Sequence, residues 1–369
     1  MASPILLLVA GILLVIVGAS ALVRGAADLA SALGTPPLII GLTVVAFGTS
    51  SPELVVSLQA ALHGKAEVAL GNVIGSNIFN VLFILGASAI IAPLVVSAQV
   101  VRQDVPIMIL VSVGVLALAA QGGIGRGEGA LLIGALLAYT VLQIRLARRS
   151  RKRVAVPVGR GAEAEVPAAP QHRGKKYWVV SLLLVAGGLT MLTVGSRWLI
   201  GGAAEIATGF GISELVVGLT IVAAGTSMPE VATSIAASLR REHDIAVGNV
   251  VGSNIFNVLL VLGGAALITP GGMTVPTEAL VFDMPIMIAV SIACLPIFFT
   301  GHEIDRWEGA IFLLYYLAYT AFLVLSATQH SALPVFSNVV LIFVVPLTLI
   351  TLAVISVRAW RKGRVRQDS

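Results

Sequence analysis

The sequence predicts an all-α polytopic membrane protein, with an inverted-topology 5+5 arrangement of transmembrane helix repeats plus one extra C-terminal helix. The prediction depends on the apolar composition, the length of the apolar runs and a long internal repeat. Of the 369 residues, 57% are hydrophobic and only 11% are charged, whereas soluble domains average about 25% charged residues. Apolar runs of the roughly 18 residues needed to cross a bilayer recur along the chain.

Other membrane architectures fit less well. A transmembrane β-barrel would show alternating segments of about ten residues, and the sequence shows none. The apolar run 4–22 has no basic residue before it, and the first arginine is Arg24; this favours a first membrane helix over a cleaved signal peptide. Cys294 is the one cysteine, which excludes an internal disulfide and a thiolate metal cage.

The internal repeat is the strongest signal in the chain. The segment that begins at Gly41 aligns without a gap with the segment that begins at Gly218, and about 30 of 54 positions are identical. The constant offset is therefore 177 residues, the difference between these two glycines. Because five spans are an odd number, the second half enters the membrane from the opposite side. Inverted repeats are typical of secondary transporters, whose binding sites lie near the midplane.

The hydrophilic stretch between the two halves and the positions of the basic residues predict the organisation and the orientation. Basic residues are concentrated in one set of loops, which by the positive-inside rule face the cytoplasm. We expect the N-terminus outside, and the linker and C-terminus in the cytoplasm. The predicted units are 1–147 (first repeat, five helices), 148–176 (basic cytoplasmic linker), 177–327 (second, inverted repeat, five helices), 336–357 (additional helix) and 358–369 (basic cytoplasmic tail).

Each repeat carries one glutamate in the middle of a predicted span, Glu53 in Gly-Thr-Ser-Ser-Pro-Glu and Glu230 in Gly-Thr-Ser-Met-Pro-Glu. A charged side chain inside a membrane is expensive and is usually functional. Two carboxylates at equivalent positions of two repeats therefore predict a cation site.

The residues before each glutamate predict further oxygen ligands. Pro52 and Pro229 lack an N–H and disturb the preceding turn, which should free backbone carbonyls; broken helices are tolerated where they line a wet cavity. Thr49 and Thr226 lie four residues before their glutamates and so share a helix face with them. Carboxylates, carbonyls and hydroxyls are hard ligands, and Ca²⁺ takes 6–8 oxygens in flexible geometry.

The next helix of each repeat carries Gly-Ser-Asn-Ile-Phe-Asn. Ser76 and Asn80 share one helix face, as do Ser253 and Asn257, and their neutral oxygens suit Na⁺ or a bridging water. The other asparagines of these two helices are expected to join helices through hydrogen bonds. The aspartate that opens each Asp-x-Pro-Ile-Met motif is expected to cap a helix. These residues are Asn72, Asn77, Asn249 and Asn254, and Asp104 and Asp283.

No HExxH, CxxC, P-loop or GxGxxG pattern occurs in the sequence, so nothing supports a zinc site, redox chemistry or ATP hydrolysis. We predict that the protein is not an enzyme and has no cofactor. Its expected partners are membrane lipid and transported ions, with no nucleic acid and no obligate protein partner.

The two duplicated motifs resemble those of the cation/Ca²⁺ exchanger superfamily, specifically prokaryotic sodium/calcium exchangers, over about ten of the eleven predicted helices. The resemblance implies an antiporter of Na⁺ and Ca²⁺ in a bacterial or archaeal inner membrane. It also implies alternating access, in which the first helix of each half slides past the core. Carried over, the Ca²⁺ ligands are Glu53, Glu230 and the carbonyls of Thr49 and Thr226; the Na⁺ or central-site residues are Ser76, Ser253, Asn80, Asn257, Ala46 and Ala223; the supporting residues are Ser50, Ser227, Pro52 and Pro229.

One position departs from the family pattern. Many members carry Asp where this chain has Asn257, so both repeats here have Asn and the site has two acids. The stoichiometry is therefore open, and so is the coupling ion, because a buried glutamate can take a proton when the cation leaves. A Ca²⁺ (or other divalent)/H⁺ antiporter on the same fold is the nearest alternative, and a cation channel is a more distant one.

Overall fold

The computed structural model describes residues 3–154, 175–210, 225–299, 302–328 and 330–339. The elements of the first half are α1 Pro4–Leu33, α2 Pro37–Thr49, α3 Ser51–Leu62, α4 Ala66–Ile91, β1 Leu94–Val95, α5 Val100–Ala119 and α6 Arg126–Val154. The elements of the second half are α7 Lys175–Gly209, α8 Met228–Leu239, α9 His243–Ile268, α10 Ala279–Phe299, β2 Glu303–Ile304, α11 Arg306–Ala327 and α12 Leu333–Val339.

The described part of the chain contains eight helices that are long and apolar enough to cross a membrane. The pair α2 and α3 makes a ninth span if counted as one helix bent by 43°. The predicted polytopic helical membrane fold is confirmed.

Some predicted boundaries differ from the structure. Helix α6 continues to Val154, so the start of the predicted linker 148–176 is helical, and α7 already begins at Lys175. Most of the predicted helix 336–357 and all of the tail 358–369 lie outside the described residues, which end here with α12.

Helices α1 and α7 pack closely along a seam of glycines spaced seven residues apart. A methyl group added at Gly18 would lie 2.9 Å from the Gly188 carbonyl oxygen, and one added at Gly195 would lie 2.9 Å from the Gly11 carbonyl oxygen. Side chains at these positions would force the helices apart, and small residues let membrane helices approach this closely. Tyr177 adds a polar tie, since its hydroxyl donates to Asp28 Oδ1 at 2.8 Å.

Each repeat also packs on the other at the periphery. Helix α11 meets α4 where Gly309 faces Gly86, and α6 meets α9 where Gly129 faces Gly263. The short strands β1 and β2 pair antiparallel, Leu94 with Ile304, and so join the repeats again. The two halves are thus interlocked and share one apolar core.

Helices α4 and α9 form the centre of the molecule. In their apolar stretches 72% and 78% of the residues are buried, against 22% for α6 and 6% for α11. The two duplicated motifs lie on these central helices and on the broken helices beside them, which places the predicted site in the core.

Candidate cation site

Both Pro-Glu motifs break a helix at the same point. The first repeat breaks at Ser50, whose φ and ψ are −79° and 4°, and the second at Ser227, at −87° and 11°. The new helices, α3 and α8, each carry proline in the first turn, where a missing N–H breaks no helix bond. Glu53 and Glu230 follow in that same turn, where the positive end of the helix dipole favours a carboxylate.

The two glutamates are buried at the interface of the repeats, with exposures of 1% for Glu53 and 0% for Glu230. Each carboxylate accepts a hydrogen bond from the serine at the break of the other repeat. Ser227 Oγ donates to Glu53 Oε1 at 3.1 Å, and Ser50 Oγ donates to Glu230 Oε1 at 3.2 Å. The serine of each repeat thus bonds the glutamate of the other repeat. Such reciprocal contacts between equivalent residues are typical of a two-fold relation.

Four buried oxygens of this region accept no hydrogen bond from any residue that the structure describes: Glu53 Oε2, Glu230 Oε2, Asn80 Oδ1 and Asn257 Oδ1. Leaving a buried acceptor unpaired costs about 1–3 kcal/mol, and more for a charged group. Two of these oxygens come from each repeat, and two are carboxylate oxygens. The arrangement therefore calls for a cation or an ordered water.

The predicted hydroxyl ligands lie beside the acids. Ser76 Oγ is 3.2 Å from Ser227 Oγ, and Ser253 Oγ is 3.5 Å from Thr49 Oγ1. Thr226 Oγ1 donates to Asn72 Oδ1 of the first repeat at 3.4 Å. The structure thus brings predicted residues of both repeats together.

The alanine carbonyls are placed differently. The Ala46 carbonyl accepts from the backbone N–H of Ser50 at 3.0 Å and from Thr49 Oγ1 at 3.3 Å, so it already has two donors. Its predicted counterpart, Ala223, lies outside the described residues.

The residues that sequence reasoning assigned only to helix joining also support the acids. Asn249 Nδ2 donates to the Glu230 carbonyl at 3.4 Å and to Ser234 Oγ at 3.0 Å, while its Oδ1 accepts from Thr49 at 3.0 Å. Asn72 makes the equivalent bonds to the Glu53 carbonyl, at 3.5 Å, and to Ser57, at 3.0 Å. Their offset of 177 residues was the available signal.

The predicted capping role of Asp104 and Asp283 is wrong, because both lie inside helices that have already begun, at Val100 and Ala279. Asp104 is fully buried and accepts a 2.7 Å bond from Gln143 of α6. Asp283 accepts a 3.0 Å bond from Tyr319 of α11. Both acids therefore bind side chains of a neighbouring helix, which sequence-local reasoning about helix ends does not consider.

Within the described ranges there is no group of three or more His, Cys, Asp or Glu side chains that would hold a metal ion. A site made of two acids and neutral oxygens agrees with the composition of the motifs. An internal oxygen site beside broken helices places the protein among the secondary transporters.

Comparison with known proteins identifies the family. The family model for sodium/calcium exchanger protein matches residues 3–145 and 180–325, which are most of the two predicted repeats. The chain belongs to this family, and the resemblance seen in the motifs is confirmed.

Similar proteins occur in bacteria and archaea. The chain is 41% identical over 286 residues to inner membrane protein YrbG of Escherichia coli, covering 78% of this chain and 86% of the relative. It is 38% identical to the putative antiporter CaxA of Alkalimonas amylolytica, covering 84% and 95%. It is 29% identical to sodium/calcium exchanger MaX1 of Methanosarcina acetivorans, covering 85% and 96%.

A solved structure of the sodium-calcium exchanger NCX_Mj is also similar, with a TM-score of 0.73 and 28% identity over 86% of this chain and 98% of that one. Together these findings support exchange of Ca²⁺ against another cation by an integral membrane protein. Transport relatives of this kind are consistent with the prediction that the chain is not an enzyme.

Proposed function

We propose that the protein exchanges Na⁺ for Ca²⁺ by alternating access, with both ions competing for the site between the repeats. The single observation that carries this proposal is the set of four unpartnered buried oxygens, two carboxylate and two amide, contributed equally by the two repeats. Such a set attracts cations and offers nothing to an anion.

The charge and number of the ligands favour Ca²⁺ as one substrate. Two ionised glutamates balance one Ca²⁺, and bidentate glutamates with the carbonyls of Thr49 and Thr226 supply about six oxygens, within the range that Ca²⁺ prefers. The hydroxyls of Ser76 and Ser253 and the oxygens of Asn80 and Asn257 are neutral and suit Na⁺ beside the acids.

The same acids explain exchange without leak. An empty site would hold two carboxylates without a counter-ion, and closing it away from water would be expensive. Only a loaded site then closes and reopens on the other side. Na⁺ bound from one side must leave before Ca²⁺ is carried back, which couples the two fluxes.

A difference between the repeats supports alternating access. Helix α1 packs along α8, and Thr233 of α8 is fully buried, whereas its repeat mate Val56 of α3 is 39% exposed. The two-fold relation is therefore broken by the position of the α1–α7 pair. A second state, in which this pair covers α3 and uncovers α8, would complete the cycle.

We also propose the inverted 5+5 arrangement and the orientation with the N-terminus outside and the C-terminus in the cytoplasm. Their support is the odd number of predicted spans per repeat and the concentration of basic residues in one set of loops. In this orientation α3 leads to the outside and α8 to the cytoplasm, so the uncovered helix lies on the outer side and the covered helix on the cytoplasmic side.

The deciding experiment is ⁴⁵Ca²⁺ uptake into proteoliposomes loaded with Na⁺, with K⁺-loaded vesicles and an imposed pH gradient as parallel arms. Uptake that requires internal Na⁺ supports the proposal. Uptake that follows the pH gradient and ignores Na⁺ would assign a Ca²⁺/H⁺ antiporter, for which the two buried acids are the supporting observation. Uptake without any counter-ion and without saturation would assign a channel.

The site is tested by Glu53→Gln and Glu230→Gln, each of which leaves one charge opposite Ca²⁺. Both variants should lose Ca²⁺ uptake, because a neutral amide does not offset a divalent charge in a buried site. Glu67→Gln is the matched control, since Glu67 is exposed in the first turn of α4. Robust uptake by either site variant would refute the assignment.

A further inference from the structure

The asparagine amides at the centre of the site raise a question of orientation. Asn80 and Asn257 each carry one oxygen, which attracts a cation, and one NH₂ group, which repels it. The two ends have nearly the same shape, so packing alone does not select between them. The direction must come from hydrogen bonds, and it decides whether the residue is a ligand or an obstacle.

The other asparagine of each Gly-Ser-Asn-Ile-Phe-Asn motif is oriented by partners that can only accept a hydrogen bond. Asn254 Nδ2 donates to the backbone carbonyl of Asn77 at 3.3 Å and to Met108 Sδ at 3.5 Å. Asn77 Nδ2 donates to the backbone carbonyl of Asn254 at 3.3 Å and to Met287 Sδ at 3.6 Å. A carbonyl oxygen and a thioether sulfur only accept, so the NH₂ end of each amide is fixed.

The oxygen of each fixed amide then orients the asparagine of the opposite repeat. Asn80 Nδ2 donates to Asn254 Oδ1 at 3.0 Å, and Asn257 Nδ2 donates to Asn77 Oδ1 at 3.1 Å. The oxygens left over, Asn80 Oδ1 and Asn257 Oδ1, are buried without a partner among the described side chains.

The backbone packs the helix segments that carry these oxygens against the helices that carry the acids. Helix α8, which carries Glu230, packs against Asn80–Leu85, and α3, which carries Glu53, packs against Asn257–Leu262. Both central helices change from α- to π-helical geometry at these asparagines, and π segments are frequent at functional sites.

We infer that Asn77 and Asn254 are positioning residues, backed by Met108 and Met287, that turn the amide oxygens of Asn80 and Asn257 toward the transported cation. This role rests on the proposed function, because it needs a cation in the site. It also gives the duplicated Asp-x-Pro-Ile-Met motif a purpose: its methionines hold the NH₂ ends of the positioning amides.

A double-mutant cycle separates positioning from packing. Asn254→Leu removes the acceptor that holds Asn80, which is then free to present its NH₂ group. In the background Asn80→Asp the side chain has an oxygen at both ends, so its orientation no longer matters. Thr269→Val is the control, since it removes a buried hydroxyl that donates to the Ala265 carbonyl, outside the site.

Asn254→Leu should raise the half-saturating Ca²⁺ concentration about 3- to 10-fold, the equivalent of one lost hydrogen bond, with a smaller change in maximal rate. In the Asn80→Asp background the same substitution should not raise that concentration, since the introduced carboxylate donates no bond to Asn254 and leucine removes an oxygen that would repel it. Equal changes in the two backgrounds would show a purely structural role and overturn the inference.

The symmetry of the site provides a second, independent cycle, Asn77→Leu with Asn257→Asp, if Asn254→Leu does not fold. The Ca²⁺-dependent rise in the unfolding temperature of the full-length protein in detergent is measured in parallel. If the wild type binds Ca²⁺ in this assay but does not transport it, the proposed function fails while the cycle still tests the positioning role.

Discussion

Two symmetry-related positions, Val56 on α3 and Thr233 on α8, test whether the α1–α7 pair covers one half of the site and uncovers the other. We propose single cysteines at each position in a Cys294→Ala background. Cys294 is the one native thiol and is buried, so its replacement removes a slow competing reaction. A maleimide is applied to the detergent-purified protein, where both faces are reachable.

The expected magnitude follows from the exposures. Val56 is 39% exposed and Thr233 is 0% exposed, so Val56→Cys reacts in the described state and Thr233→Cys only in another. A minor state a few kcal/mol higher is populated at about 0.1–10%. Thr233→Cys should therefore react at most about one-tenth as fast as Val56→Cys.

Conditions that favour the opposite state should reverse this order, and that reversal is the signature of alternating access. Leu239→Cys is the control for the reactivity of the maleimide, because Leu239 is exposed at the end of α8, the helix that carries Thr233. Equal labelling of the two test positions under all conditions would refute the reasoning.

Three further outcomes are expected. Gly18→Leu should lower the unfolding temperature in detergent, because overpacking costs about 1–3 kcal/mol, whereas Gly134→Leu, which meets no neighbour among the described residues, should not. Gln143→Leu removes the 2.7 Å donor to the buried Asp104 carboxylate and should destabilise the protein by about 1.5–3 kcal/mol in the same assay. Asn257→Asp adds a third acid that one Ca²⁺ does not neutralise, so Ca²⁺ uptake should become more sensitive to acid pH; unchanged pH dependence would contradict this charge argument.

The sequence was sufficient to predict the class of fold and which motif residues of the two repeats come together, because both depend on spacing. The offset of 177 residues pairs Glu53 with Glu230, and mid-span acids in a membrane rarely lack a function. Burial at the repeat interface then follows, since each repeat must cover its own polar residues with the other.

Hydrogen-bond direction could not be predicted in the same way. Asn77 and Asn254 look like residues that join helices, and only the three-dimensional register shows that their partners are Asn257 and Asn80. For Asp104 the partner Gln143 lies on the next helix, 39 residues away. The sequence pattern at a helix end involves only neighbouring residues, so it carries no sign of this contact.

The reciprocal bonds between Ser50 and Glu230 and between Ser227 and Glu53 also bear on how such a chain arose. A polypeptide of one repeat that paired with an inverted copy of itself about a two-fold axis would form the same serine–glutamate bond twice from a single set of side chains. Its site would be complete before any gene fusion, but every substitution would act on both sides of the membrane at once. Fusion removes that restriction, and Val56 and Thr233 are one position at which the two repeats differ while the shared serine–glutamate centre stays the same.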